Sequence, residues 1–324
     1  MRRAIGLVVL LMCAAPAARA QIRAQHFPAD VKWVMHVDLK ALNEAPTGTF
    51  LRQSMGEEMQ RRVASLKALS GIDAEKDVDS LVVCGKGSVQ AGAVMYAYGH
   101  FDIPKLTAIA GGAKEYRDTA LGARRLLSWA DKGKRNNLCF INPTLAVMSQ
   151  DEALLRESVS LIDGKKRGLT DGQPFAKTLA HKKGRFLALQ AQNLTDLAGT
   201  NPQLQLFKQA EAALVEVGQA SGSKGLDCSL ALKAGSREMA QQMDQAAMGL
   251  QALFMLQAAQ DPDAAALAQG LQVAMQDNCV TVNLRVPEEF LKKQLQLRFD
   301  QAGNGQTNRK ATGNGVKQAQ RTTF

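Results

Sequence analysis

The chain predicts an α+β fold, a largely antiparallel sheet or sheets covered by helices, built as two loosely similar halves. Three observations lead there. Strand-like runs come in consecutive groups and do not alternate strictly with helices. Helical windows are apolar on one side, so each needs a surface to cover. The 324 residues are 46% hydrophobic and 22% charged, enough for one large or two modest cores and too apolar for a disordered polymer.

Residues 1–20 read as a signal peptide. Arg2 and Arg3 form a positive start, Ala4 to Ala15 is apolar, and Ala18-Arg19-Ala20 fits the small-x-small pattern of a cleavage site. Cleavage near Ala20 would place the protein in the periplasm or outside the cell. The apolar run is shorter than the roughly 20 residues a spanning helix needs, and no later window reaches that length, so no transmembrane anchor is expected. Lipidation at Cys13 is disfavoured because Met12 stands where a small residue is wanted. The mature chain stays net basic and keeps Cys84, Cys139, Cys228 and Cys279.

Residues 33–39 form a first strand, followed by a turn at Pro46-Thr47-Gly48 and a helix in which Leu51, Met55, Met59, Val63 and Leu66 recur at helical spacing. Gly71 ends it. Strands at 80–84 and 91–100, separated by Gly85-Lys86-Gly87, read as a hairpin. Asp102 caps a short helix with Pro104 in its first turn. Strands near 121–130, 136–141 and 144–149 precede a helix announced by Ser149 and Glu152 and stopped by Gly164. These elements make an N-terminal half, 21–165. The C-terminal half, 166–300, holds a strand at 185–191, a helix from Pro202 to about Val217 capped by Asn201, and a strand at 226–233. A helical region over 236–275 follows, broken at Asp261-Pro262-Asp263, then a strand at 278–286 and a helix from Pro287 to about Leu297. Residues 301–324 contain no acid and little that is apolar, and are expected to be a disordered basic tail.

The segments 28–42 (PADVKWVMHVDLKAL), 48–53 (GTFLRQ), 71–85 (GIDAEKDVDSLVVCG) and 98–106 (YGHFDIPKL) resemble a loose family of exported bacterial α+β proteins of unknown function. In that group a valine-Asp-leucine strand end, a Gly-Ile/Leu-Asp segment leading to Asp-Val/Ile, and a Gly-x-Phe-Asp strand end recur in this order. The resemblance spans about residues 28–165. It implies an exported α+β protein and carries no chemistry: His36, His100 and Cys84 fall outside the shared pattern.

Catalytic motifs are missing. No G-x-S-x-G elbow, H-E-x-x-H zinc helix, P-loop or G-x-G-x-x-G after a strand occurs, so no catalytic or cofactor-binding residues are assigned. The one cluster that chemistry could use is His36, Asp38, His100 and Asp102, which would serve as metal ligands or acid/base groups if the strands at 33–39 and 91–100 were neighbours. The competing reading makes both aspartates helix caps. Basic clusters at Lys165-Lys166-Arg167 and 181–185 could attract an anionic envelope polymer; without interleaved aromatics they do not suggest nucleic acid. Met239, Met243, Met248, Met255 and Met275 suggest either a core or a flexible groove. The symmetrical disulfide pairing is Cys84–Cys139 with Cys228–Cys279, although alternation within 278–286 points Cys279 away from Cys228; four buried thiols is the other reading. The sequence therefore favours a non-enzymatic exported binding or scaffolding protein of the cell envelope, whose partner would be an envelope polymer or another exported protein. A metal-assisted hydrolase and a carrier of a hydrophobic ligand are the alternatives.

Overall fold

Alternating side chains decide both where the strands form and which face each residue takes. The computed structural model describes residues 22–54, 75–87, 92–192, 210–220 and 225–294, with residue 194 and several positions between 60 and 73. The expected signal peptide and tail lie outside these residues.

Strand β1 (Trp33–Asp38) leads into α1 (Leu39–Glu44) and α2 (Pro46–Ser54). Then come β2 (Val78–Gly85), β3 (Val94–Gly99), α3 (Ile103–Gly111), β4 (Arg117–Leu121), β5 (Arg124–Asp131), β6 (Lys134–Asn142), β7 (Leu145–Ser149) and α4 (Glu152–Ile162). The remainder holds α5 (Pro174–Leu179), β8 (Arg185–Gln192), β9 (Ala210–Gln219), β10 (Leu226–Ala234), α6 (Arg237–Ala258), α7 (Pro262–Gly270), β11 (Leu271–Gln276) and β12 (Cys279–Val286). Residues 288–294 are helical. All twelve strands join one antiparallel sheet in the order β11-β12-β10-β9-β8-β1-β2-β3-β7-β6-β5-β4. This is the α+β architecture expected, with both halves in the same sheet.

Register assigns the two faces. His36, Val82, Tyr96 and Val147 lie opposite one another across β1, β2, β3 and β7, and Val34, Cys84 and Val94 form the next row on that face. These rows pack against Leu155 and Val159 of α4, Phe175 and Leu179 of α5, and Phe27. The opposite face carries the row Trp33, Ala191, Ala213, Leu232 and Val280, covered by Ala240 and Met243 of α6. Helices thus cover one face over the first-half strands and the other face over the second-half strands. Each large apolar side chain buried this way contributes roughly 1.5–3 kcal/mol before entropy is charged.

Several expectations need correction. Pro46-Thr47-Gly48 opens α2 and is not a turn; the missing side chain of Gly48 lets α1 and α2 meet, since a Cβ there would sit 1.7 Å from the Leu42 carbonyl oxygen. Of the apolar positions predicted for that helix, Leu51 lies in α2, and Met55, Met59, Val63 and Leu66 lie outside the described residues. The helix expected to reach Val217 is strand β9 from Ala210 onward: β8 and β10 flank it, and Val215 and Val217 suit a pleated site better than a helix. Residues 271–275 leave the helical region to form β11. Strand β4 and helix α5 were not anticipated. Asp151, not Ser149, caps α4, by accepting from the Ala153 and Leu154 N–H groups. Asp261 caps α7, as the break at Pro262 requires.

Candidate functional site

The four candidate ligands do not converge. Strand β2 lies between β1 and β3, so the strand ends carrying Asp38 and Asp102 are not neighbours. Both aspartates are caps: Asp38 accepts from the Ala41 N–H at 2.8 Å, and Asp102 from the Lys105 N–H at 3.1 Å. His36 is buried at 3% exposure and His100 is exposed. Among the described residues no group of three or more His, Cys, Asp or Glu side chains stands close enough to hold a metal ion.

A different polar cluster forms around His36. Its partners come from β8, β9 and α5, more than a hundred residues away. Asp38 faces His181, with Oδ2 and Nδ1 at 3.1 Å. Arg185, 8% exposed, donates to Glu216 at 2.6 Å and to the carbonyl oxygens of Thr178 and Ala180. The Thr178 hydroxyl donates to Gln190 beside them. Burial lowers the His36 pKa from 6.5 to about 4; the attraction of Asp38 and a backbone bond to Thr178 oppose the shift, and the Arg185 and His181 charges reinforce it. A neutral imidazole results, and its Nε2 has no hydrogen-bond partner among the described residues. Burial alone would push Glu216 up, but bonds from Lys182 and Arg185 outweigh it and hold the carboxyl below its ordinary value. Apart from the His36 Nε2, the polar groups of the cluster are taken up by one another. The cluster lacks a free nucleophile or an acid/base pair with opposed shifts.

Ion pairs offset part of the charge of the basic runs. Lys165 meets Asp163, Lys166 meets Glu157, and Lys182 and Arg185 share Glu216. Each of these carboxylates serves two cations, with Arg124 also on Asp163 and Lys86 also on Glu157, so both runs stay net positive. The open cleft beside them, about 520 Å³, is lined by Lys182, Lys183, Glu216, Asp227, Asn283 and Arg285 among others. It mixes both charges and is no pocket for a hydrophobic ligand.

All four cysteines are free. Cys84 and Cys139 share a face but stand three strand spacings apart, about 14 Å. Burial pushes the Cys84 thiol up to about 12 and the Cys139 thiol up to about 11, which keeps both protonated and unreactive. Cys228 and Cys279 lie on adjacent strands, β10 and β12, with their side chains on opposite faces.

The feature that stands apart is the C-terminal half of α6. From Ala246 to Gln260 no residue is charged. Met248, Leu250, Leu253, Phe254, Met255 and Leu256 are exposed there, from 39% at Phe254 to 70% at Leu256. Residues 253–256 are consecutive, so their side chains leave the helix in several directions, and each stays substantially exposed although the helix also packs against α7 and β11. The earlier half behaves conventionally: Ala240 and Met243 pack on the sheet. Gln251 ties the exposed half to the edge of the sheet, its Nε2 donating to the Leu271 carbonyl at 2.9 Å.

No family model and no curated protein matches the chain. In fold it is similar to a solved structure of TP0453. Crystal form IV of that protein aligns at a TM-score of 0.51 and 10% identity, over 86% of this chain and 97% of that one. Crystal form I aligns at 0.48 and 8%, over 86% and 98%. At this identity the likeness concerns fold alone. Among the described residues no helix, α6 included, is long and apolar enough to cross a membrane.

Sequence reasoning saw the methionines of α6 but not their exposure, and it missed Arg185, Glu216 and the His181–Asp38 contact. Glu216 between Val215 and Val217 was the available signal: an acid alternating with β-branched residues marks a strand with one polar face.

Proposed function

We propose that this is an exported, non-enzymatic binding or scaffolding protein of the cell envelope, and that the uncharged half of α6 is its binding surface for another exported protein. The exposure of Met248, Leu250 and residues 253–256 carries the reading. Exposed apolar side chains scattered singly need no explanation, but six on three consecutive turns without one charge among them make a contiguous patch of the kind that marks interaction sites. Leu, Met and Phe on a helix suit a groove or helix on a protein partner. Export is supported by the pattern of residues 1–20.

The test places a photocrosslinking amino acid, p-benzoylphenylalanine, at Leu256 and, as a control, at exposed Lys132 in the β5–β6 turn of cells expressing the full chain. The expected result is a discrete protein adduct from position 256 and none from position 132. Equal labelling at the two positions, or no protein adduct at 256, overturns the reading.

A further inference from the structure

We propose that the partner seated on the exposed half of α6 is a second copy of this chain, joined through the free edge of β11; the proposal rests on the reading of α6 as the binding surface. The sheet ends differently at its two edges. β4 carries Arg117 and Asp118, and Asp118 is held by Arg125, the kind of charge that discourages edge-to-edge pairing. β11 is Leu-Gln-Val-Ala-Met-Gln, six residues with no charge and no proline, and among the described residues no strand pairs with its outer edge. An edge of that composition is a template for another strand.

One symmetry operation satisfies both features. Two β11 strands pairing antiparallel are related by a two-fold axis perpendicular to the sheet, and such an axis keeps each face of the sheet on its own side. In that arrangement side chains of the same face must stand opposite one another. Leu271, Val273 and Met275, on the face that α6 covers, therefore meet the same residues of the other copy and continue the apolar row across the junction. Gln272, Ala274 and Gln276 meet on the other face. Because faces are preserved, the α6 helix of each copy lies on the same side, beside the joined edges. Its exposed half is anchored to β11 through Gln251 and Leu271, so it comes with the edge.

Charge limits where two copies can meet. The full chain has a formal net charge of +10, and without Arg2, Arg3 and Arg19 of residues 1–20 it stays net basic, so copies repel in general. Residues 246–260 and 271–276 carry no charge, so two copies can meet there without like charges facing one another. Leucine, methionine and phenylalanine are complementary to themselves. An isologous dimer buries each of these residues twice in a single contact.

Sedimentation equilibrium of the purified exported chain tests this, at loadings from about 1 to 100 µM, a range that covers micromolar dissociation constants. The expected mass is that of two copies at the upper end. Ala274→Lys, which sets a charge on each edge beside the axis, and Leu253→Glu on the helix should each weaken association at least tenfold. Ala120→Lys on the opposite edge should leave it unchanged. Circular dichroism confirms that the variants fold; all three positions are exposed. A monomeric mass throughout overturns the proposal, as does a dimer insensitive to Ala274→Lys. A monomer that instead binds phosphatidylcholine vesicles, and loses that binding with Leu253→Glu, assigns the surface to lipid and also overturns it. The binding role and the self-pairing fail separately: an adduct from position 256 containing a different protein keeps the first and removes the second.

Discussion

His36 sits on β1 with Val82 of β2 and Ala188 of β8 directly opposite it, under the helix α5 that carries Thr178. Burial and the nearby Arg185 and His181 charges hold its ring neutral, against the pull of Asp38. The sign of the pH effect follows from linkage. In the unfolded chain the imidazole takes a proton as pH falls through its ordinary value of 6.5, while in the folded chain it does so only near 4. Between those values the unfolded state binds more protons, so stability is full above about pH 6.5, declines on acidification, and loses nothing further from this group below about 4. A shift of this size corresponds to roughly 3 kcal/mol. Urea unfolding at pH 7 and at pH 4.5 should therefore show a large acid loss in the native chain and a clearly smaller one in His36→Gln. Equal losses would mean that the ring is protonated inside the fold. Of these residues the sequence made Asp38 and Asp102 legible, because a cap needs only local chain, an acid followed by a helix. It could not show that His181 meets Asp38, since 143 residues separate them and only the pairing of β1 with β8 joins them.

At the scale of elements, β8 and β9 are held together by more than their ladder. Glu216 of β9 accepts from Lys182 and from Arg185 of β8, and Arg185 passes on to the carbonyls that end α5. One carboxylate thus fixes two strands and a helix. Removing its charge leaves a guanidinium that is nearly buried without its counterion. Glu216→Gln should therefore cost about 2–3 kcal/mol, read as a lower denaturant midpoint with an unchanged m-value. A loss below about 0.5 kcal/mol would show that the pair is solvated and idle. The elements whose patterns are strong in isolation were legible: β1, the β2–β3 hairpin, β5 to β7, α4, and the break before α7. β9 was misread because Ala210 to Val217 also satisfies a helical spacing, and only flanking by β8 and β10 decides the matter. β11 was misread because six uncharged residues after a helix look like its continuation. What stops the helix is pairing with β12, a contact absent from the local sequence.

The described residues form one sheet whose two cores each draw on both halves of the chain. Leu169, Phe175 and Leu179, from beyond residue 165, complete the core built on β2, β3 and β7. Trp33 and Val83, from the first half, complete the core beneath α6. β1 is the hinge of this exchange, paired with β2 on one side and β8 on the other. A division into halves at residue 165, natural from the repeating order of elements, cuts through both cores, so neither part retains a complete one. Cooperativity is the measurable consequence. The chain has two tryptophans, Trp33 in the second core and Trp129 on β5 near the β4 edge. In Trp129→Phe the emission reports the centre of the sheet, and in Trp33→Phe it reports the far end of the first half. Within each variant, guanidinium unfolding followed by emission and by far-UV circular dichroism should give coincident transitions, the signature of a single cooperative unit. If the Trp129 signal melts at lower denaturant than the dichroism, the strands from β3 to β4 unfold by themselves. The exchange of Phe175 and Trp33 between halves would then be too weak to bind them into one unit.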